Sequence, residues 1–177
     1  MSTLAVNTIT AETGNTVSLA SGKTLDASQG LTAPSGHIVQ VVTNTVTGVV
    51  GQNSTSWVNM LSVSITPKYA NSKLYIIAFV GGVYMNLSSS TNQSNWRIAR
   101  DSGSISASQN THFHTEEGRN LTGAGSRTHP HMGIMDNAVD TNSRTYSVQS
   151  ERHTGTGGIQ INDTSGTSTI TVMEIKQ

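Results

Sequence analysis

The stretch MLSVSITPKYANSKLYIIAFV, residues 60 to 80, decides the fold. In its first half, apolar and polar side chains alternate: Leu61, Val63 and Ile65 against Ser62, Ser64 and Thr66. A period of two predicts a β-strand that buries one face and leaves the other in water. The second half, KLYIIAFV (73 to 80), is apolar on both faces and therefore predicts an inner strand of a sheet.

Segments of the same kind continue in both directions along the chain. HIVQVVTNTVTGVV (37 to 50) is rich in β-branched residues, and TITVMEIK (169 to 176) is a second candidate inner strand. Shorter candidates are NWRIAR (95 to 100), HMGIMDNAV (131 to 139), RTYSVQSE (144 to 151) and GIQIN (158 to 162). Eight or more short strands predict an all-β antiparallel sandwich or jelly roll with almost no helix. Residues 101 to 130, rich in Ser, Gly, Asn and His, are expected to form long surface loops with room for a short strand.

Composition excludes several classes of function. The 177 residues include no Cys, which rules out disulfides, thiolate metal clusters and cysteine nucleophiles. Ten Lys and Arg balance ten Asp and Glu, so no basic field exists to hold nucleic acid or an anionic membrane. No apolar run approaches the roughly 20 residues that span a bilayer, and the N-terminus lacks a secretion signal. We therefore expect neither nucleic-acid binding nor membrane insertion.

Residues 1 to 36 differ from the remainder because they contain few large apolar groups and no aromatic residue. Leu19, Leu25 and Leu31 recur at every sixth position, which places them on one side of an extended chain. One large apolar group per six residues cannot form a core alone, but three copies around a common axis would bring the leucines together. We predict a shaft or virion-attachment segment at 1–36 and a head domain at 37–177. A disordered Ser/Gly/Thr tail is the alternative for the first segment.

The order of several segments resembles the short fibre and tail-fibre proteins of marine bacteriophages, including cyanophages. The resembling segments are NTITAETGNTVSLASGKTLDASQGLTAPSGHIVQVV (7 to 42), LSVSITPKYANSKLYIIAFVGG (61 to 82), WRIARDSGSI (96 to 105), GAGSRT (123 to 128), TYSVQSERHTGTGGIQIN (145 to 162) and GTSTITVMEIKQ (166 to 177). The resemblance implies a C1q/TNF-like jelly-roll head that assembles as a homotrimer, and an N-terminal segment that attaches to the virion. Residues 106 to 122 follow no pattern of that family.

The expected function follows from these observations. We expect a non-enzymatic fibre protein of the virion, in the tail or on the capsid, that mediates attachment to the host surface. Its expected partners are two further copies of the chain, other virion proteins through residues 1–36, and a host cell-surface glycan. Three copies would add weak sugar contacts into firm attachment. Two alternatives stay open: a capsid fibre, decoration or tail component that binds no receptor, and a polysaccharide-degrading spike tip.

The histidines are the candidates for a metal site. His112 with His114, and His129 with His131, are pairs spaced by two, and on a strand each pair would share a face. A threefold axis could then gather six imidazoles from one pair around a divalent transition metal. Both pairs lie in Ser/Gly/Asn-rich sequence, and Pro130 removes a ladder donor. We therefore favour polar loop residues and predict no metal and no cofactor, although ligation by His112 and His114 stays open.

No catalytic residue is predicted. The chain has no G-x-S-x-G elbow, no H-E-x-x-H pair and no phosphate loop. Adjacent Glu116 and Glu117 would point to opposite faces of a strand and could not flank one glycosidic bond, so we interpret them as solvated loop charges. Trp96 shares a strand face with Ile98 and is expected in the core, whereas Trp57 could lie in the core or serve as a sugar platform.

Overall fold

The structure is a computed structural model that describes residues 21–22, 34–86, 92–101, 103–105, 113–117, 125–154, 157–163 and 166–177. The chain divides into two units, Met1–Thr32 and Ala33–Gln177. In the first unit, the description covers an exposed turn at residues 21–22. Leu19, Leu25 and Leu31 lie outside the described residues, so the shaft and the boundary after residue 36 remain predictions.

The second unit is built from short β-strands, as its β-branched and alternating segments predict. The strands are β1 (Ile38–Val46), β2 (Val50–Gln52), β3 (Val58–Ile65), β4 (Lys73–Phe79), β5 (Val83–Asn86), β6 (Asn92–Arg100), β7 (Gly103–Ser104), β8 (Phe113–Glu117), β9 (Gly125–Thr128), β10 (His131–Asn137), β11 (Arg144–Thr154), β12 (Ile159–Ile161) and β13 (Ser168–Ile175). The described residues contain no α-helix. Accordingly, no helix in the described ranges is long and apolar enough to cross a membrane.

The strands form two antiparallel layers. The first sheet has the order β1-β13-β4-β10, and beyond a bend the same four chain segments continue as β2-β12-β5-β9. The second sheet has the order β3-β11-β6, and β7 and β8 pair with opposite ends of β6. Four long strands each bend into two pieces, namely β1/β2, β4/β5, β9/β10 and β12/β13. If each bent strand counts once and the two-residue β7 is left out, the chain has eight strands. Their order is 1-8-3-6 in one sheet and 2-7-4-5 in the other. This is the Greek-key order of a jelly roll, and the predicted all-β antiparallel sandwich is confirmed.

The core lies between the two sheets. In β3 the predicted alternation is confirmed, because Leu61, Val63 and Ile65 are buried while Ser64 is exposed. Trp96 of β6 is fully buried and shares the core with Ile98, as predicted. The first sheet contributes its own buried face: Leu74, Ile76, Ala78, Met132, Ile134, Ile170 and Val172.

A hydrogen-bonded cluster at the bend of the first sheet explains why its strands turn together. The Asn162 side-chain amide donates to the carbonyls of Val46 and Gly48, at 2.8 and 2.9 Å. Its Oδ1 accepts from Ser168 Oγ at 2.6 Å, and that hydroxyl accepts from the Gly81 N–H. A Cβ on Gly81 would lie 2.3 Å from the Thr167 carbonyl oxygen, so only glycine fits there. One buried asparagine thus links three of the four chain segments where they bend.

The region from 101 to 130 contains more strand than the sequence predicted. Strands β7, β8 and β9 lie in it, and β9 is an edge strand of the bent sheet, paired with β5. Glu116 and Glu117 therefore lie on strand β8 and not in a loop. The short polar segments form strands because each has a partner strand to pair with, which overrides their weak β-propensity.

Candidate functional site

The outer surface of the first sheet carries apolar side chains in register across all four strands. The pairing places Val41 of β1, Met173 of β13, Tyr75 of β4 and Met135 of β10 in one row. The next rows place Ile77 opposite Thr171 and Gly133, and Phe79 opposite Thr169 and His131. We define the apolar face as Val41, Tyr75, Ile77, Phe79, Met135 and Met173.

The apolar face is only partly covered. Val41 is 54% exposed, Ile77 37% and Met135 39%, whereas Tyr75, Phe79 and Met173 are half-buried. The Tyr75 hydroxyl lies 3.4 Å from the position of a Cβ on Gly133, so the glycine accommodates the tyrosine. Strand β4 lies between β13 and β10, so the predicted inner strand is confirmed. Its outer face is nevertheless partly exposed in the single chain. Side chains on neighbouring strands thus form a continuous and partly exposed apolar surface.

The outer surface of the second sheet is polar. Register places Asn59, Gln149 and Arg97 in one row across β3, β11 and β6. The neighbouring row holds Glu151 and Asn95, with His114 of β8 at the paired backbone position. Trp57 precedes Asn59 by two residues at the start of β3. We define the polar face as Trp57, Asn59, Asn95, Arg97, Gln149 and Glu151.

Planar side chains of the polar face are connected by short hydrogen bonds. Arg97 Nε donates to Gln149 Oε1 at 2.7 Å, and Gln149 Nε2 donates to Asn59 Oδ1 at 2.7 Å. The Arg97 guanidinium carbon lies 4.1 Å from the centre of the Trp57 ring, a cation–π contact. Burial lowers the pKa of Arg97, and the charge of nearby Glu151 offsets that effect in part. These contacts hold the indole and the amides in fixed orientations.

Buried Glu174 is held by several hydrogen bonds from neighbouring segments. The carboxylate accepts hydrogen bonds from the Lys68 and Tyr69 N–H groups, Ser72 Oγ and Gln40 Nε2, at 2.6 to 3.0 Å. Burial alone would raise the pKa of Glu174, but the donated hydrogen bonds lower it below the ordinary value. The carboxylate thus attaches the β3–β4 connection to β13.

Buried Asp136 lies in the same row as Glu174, because both residues pair with Leu74 of β4. It accepts from Arg100 Nη1 at 2.8 and 3.0 Å and from the Tyr146 hydroxyl at 2.7 Å. Burial, with the bond to Asp136, raises the pKa of Tyr146 far above its ordinary range, so the phenol stays protonated. The neighbouring carboxylate raises the pKa of Arg100 despite partial burial, which opposes it. Both oxygens of Asp136 are engaged in structural bonds.

The structure describes three of the four histidines in the two predicted pairs. His129 and His131 are exposed beside Phe79, with ring centres 6.2 and 4.7 Å from it. His114 lies on β8, and His112 lies outside the described residues. His114 and His131 therefore lie on strands and not in loops, a correction to the sequence interpretation. Within the described ranges, no three acidic or histidine side chains form a group that could hold a metal ion.

A shallow groove lies where β2 meets β12. It has a volume of about 310 Å³ and is lined by Gly51, Gln52, Asn53, Gly158, Ile159 and Gln160. The Gln52 side chain is already engaged, because Nε2 donates to Ser150 Oγ and Oε1 accepts from the Ser54 N–H. Asn53 and Gln160 are the exposed amides of the groove.

Sequence reasoning found the strands but missed the surfaces. Trp57, which the sequence allows in the core or on the surface, is half-buried on the polar face. Asn59 and Gln149 were not predicted as part of a site. The spacing of Trp57 and Asn59 does carry a signal, because residues two apart at the start of a strand share a face. The β-bulge at Met60, which sets Asn59 opposite Gln149, has no sequence signature.

No family model matches the chain, and no curated protein matches it. Among solved structures, a chain of the T13 IBDV viral particle superposes with a TM-score of 0.40 at 11% identity, covering 88% of this chain and 40% of that one. A chain of the infectious bursal disease virus Gx strain gives a TM-score of 0.34 at 11% identity, with coverage of 93% and 44%. This chain therefore matches less than half the length of either viral chain. At these TM-scores neither likeness bears on its activity.

Proposed function

We propose that this chain is a non-enzymatic, homotrimeric fibre protein of a bacteriophage virion, and that its jelly-roll head attaches to the host surface. The order of its sequence segments resembles that of short fibre and tail-fibre proteins, and this resemblance supports the virion role. In the proposed arrangement, residues 1–36 form a shaft or attach to another virion protein, and the head is C1q/TNF-like.

The observation that carries the proposal is the apolar face. Its side chains come from β1, β13, β4 and β10, so it covers the whole width of a sheet. Val41, Ile77 and Met135 are exposed to water in the single chain. Burying their apolar surface on association would stabilise the assembly by about 25 cal/mol per square ångström. Packing these faces around a threefold axis would bury them in all three copies.

The two sheets support a division of roles within the head. If the apolar face lies at the trimer axis, the polar face on the opposite sheet points outward. Three outward surfaces per trimer suit attachment, because linked weak contacts act at high effective concentration. The buried carboxylates of Asp136 and Glu174 support a non-enzymatic role, since structural donors occupy them.

Two measurements test the proposal. Gold-labelled antibody against residues 37–177 is expected to decorate a fibre on purified virions, and absence of the chain from virions would refute the virion role.

Fluorescently labelled full-length chain is expected to bind marine cyanobacterial cells of the host strain and not cells of resistant strains. A virion-borne trimer that binds no host cell would instead be a structural capsid or tail component.

A further inference from the structure

We propose that the polar face is a binding site for a neutral carbohydrate, with Trp57 as its stacking platform and Asn59 and Arg97 as its polar contacts. The inference rests on the proposed attachment function and names the class of ligand and the residues that hold it. Its first basis is chemical. A sugar ring presents an apolar face and a rim of hydroxyls, so it needs an aromatic surface beside groups that donate and accept hydrogen bonds.

Those two kinds of group lie side by side here. The Trp57 ring is half-buried and is held by the guanidinium of Arg97 at 4.1 Å. Asn59, two residues further along the same strand edge, is exposed. The row from Asn59 through Gln149 to Arg97 crosses two strand spacings, about 10 Å, which gives a sugar an extended line of contacts.

The groups of this row keep donors for a ligand. Among the described residues, Arg97 donates through Nε to Gln149, while its terminal Nη groups make no hydrogen bond. Asn59 accepts through Oδ1 from Gln149, and its Nδ2 donates to no described residue. The internal bonds fix the orientation of both side chains before a ligand arrives, which lowers the entropic cost of binding.

The charge balance selects the class of sugar. Arg97 is the cation of the polar face and Glu151 is its anion, and the two attract each other. Glu151 also accepts from Asn95 Nδ2 at 2.9 Å, which holds the carboxylate within the face. An acidic sugar would gain from Arg97 but meet repulsion from Glu151. A neutral hexose or N-acetylamino sugar uses the donors and acceptors without that conflict.

The test measures full-length chain on an array of neutral hexose, N-acetylamino sugar and sialylated oligosaccharides. Neutral glycans are expected to bind, and W57A is expected to weaken binding about tenfold, because a stacking contact contributes roughly that much. N59A is expected to weaken binding severalfold. R97K keeps the charge but loses the Nε bond to Gln149, and it is expected to fall between wild type and W57A.

Two control variants match the test. S64A lies on the same sheet face but outside the polar face, where Ser64 pairs with Thr145 Oγ1 at 2.8 Å. Q160A removes an exposed amide from the groove between β2 and β12. Both are expected to bind as wild type does, and light scattering checks that every variant keeps the wild-type mass.

The outcomes separate this inference from the proposed function. Binding of neutral glycans that W57A and N59A reduce and S64A leaves intact supports the site. Glycan binding that W57A leaves unchanged, or that Q160A alone abolishes, overturns it, as does a preference for sialylated glycans. Binding to host cells with no glycan bound on the array overturns the inference and leaves attachment standing. A chain that binds neither cells nor glycans refutes both.

Discussion

Replacement of Glu174 by Gln tests how the head is held together. The carboxylate is fully buried and accepts from four groups, namely the backbone N–H of Lys68 and of Tyr69, Ser72 Oγ and Gln40 Nε2. In E174Q an amide NH₂ group replaces one of the two accepting oxygens. This NH₂ cannot accept a hydrogen bond from the neighbouring N–H and O–H groups, so at least one bond is lost. The retained bonds become neutral, and each weakens by about 1 kcal/mol.

Relief of the carboxylate's desolvation offsets part of that loss, so we expect a net decrease of about 3 kcal/mol in the free energy of unfolding. For a chain of this length, each kcal/mol lowers the Tm by about 2–4 °C, which gives a decrease of roughly 6–12 °C. Urea and thermal unfolding followed by circular dichroism measure both quantities. The protein concentration is held fixed, because association makes the Tm concentration-dependent. E151Q is the matched control, since half-buried Glu151 accepts one bond from Asn95, and about 1 kcal/mol or less is expected.

The same carboxylate predicts a pH dependence. The folded pKa of Glu174 lies below its ordinary value of about 4.3, so its contribution is complete above that pH. The contribution is lost as the pH falls through the folded pKa. Wild type is expected to lose stability progressively below about pH 4.3, and E174Q is expected to lose less over the same range. A loss of under about 1 kcal/mol in E174Q at pH 7, or parallel acid profiles, would refute the reasoning.

Two further substitutions test the second buried carboxylate, Asp136, and the bend. Y146F removes the buried hydroxyl that donates to Asp136 at 2.7 Å. It is expected to cost about 1–2 kcal/mol in urea unfolding, because Arg100 and the Asn137 N–H still bind the carboxylate. No loss would mean that these two donors satisfy Asp136 without the phenol. G81A places a Cβ 2.3 Å from the Thr167 carbonyl oxygen and is expected to cost about 3 kcal/mol or more, whereas G48A, which meets nothing within 4 Å, is expected to be tolerated. Equal stability of the two glycine variants would contradict the account of the bend.

The fold was predictable where burial follows a simple period. Leu61, Val63 and Ile65 alternate with small polar residues, and that pattern alone fixes which face of β3 meets the core. Trp96 was placed correctly for the same reason, because Ile98 shares its face. Strands β8 and β9 were not predicted, since their formation depends on partner strands that are distant in sequence.

The surfaces could not be predicted because they depend on register. Val41, Tyr75, Met135 and Met173 come from four strands, and only the pairing places them in one row. The apolar run at 73–80 indicated that both faces of β4 avoid water, but it could not show that the second face lacks a cover in the single chain. Asn59 lies opposite Gln149 because a bulge shifts β3 by one residue against β11, and composition does not encode that shift. Gln149 and Arg97 pair in regular register.

The mass of the full-length chain in solution tests threefold association through the apolar face most directly. Light scattering is expected to give about 56 kDa, three times the 18.7 kDa of one chain. I77E, with a charge at the centre of that face, is expected to give about 19 kDa with unchanged circular dichroism. V139E replaces a 73% exposed valine away from the face and is expected to stay at 56 kDa. A folded wild-type chain of about 19 kDa, or an I77E variant that remains at 56 kDa, would contradict the account.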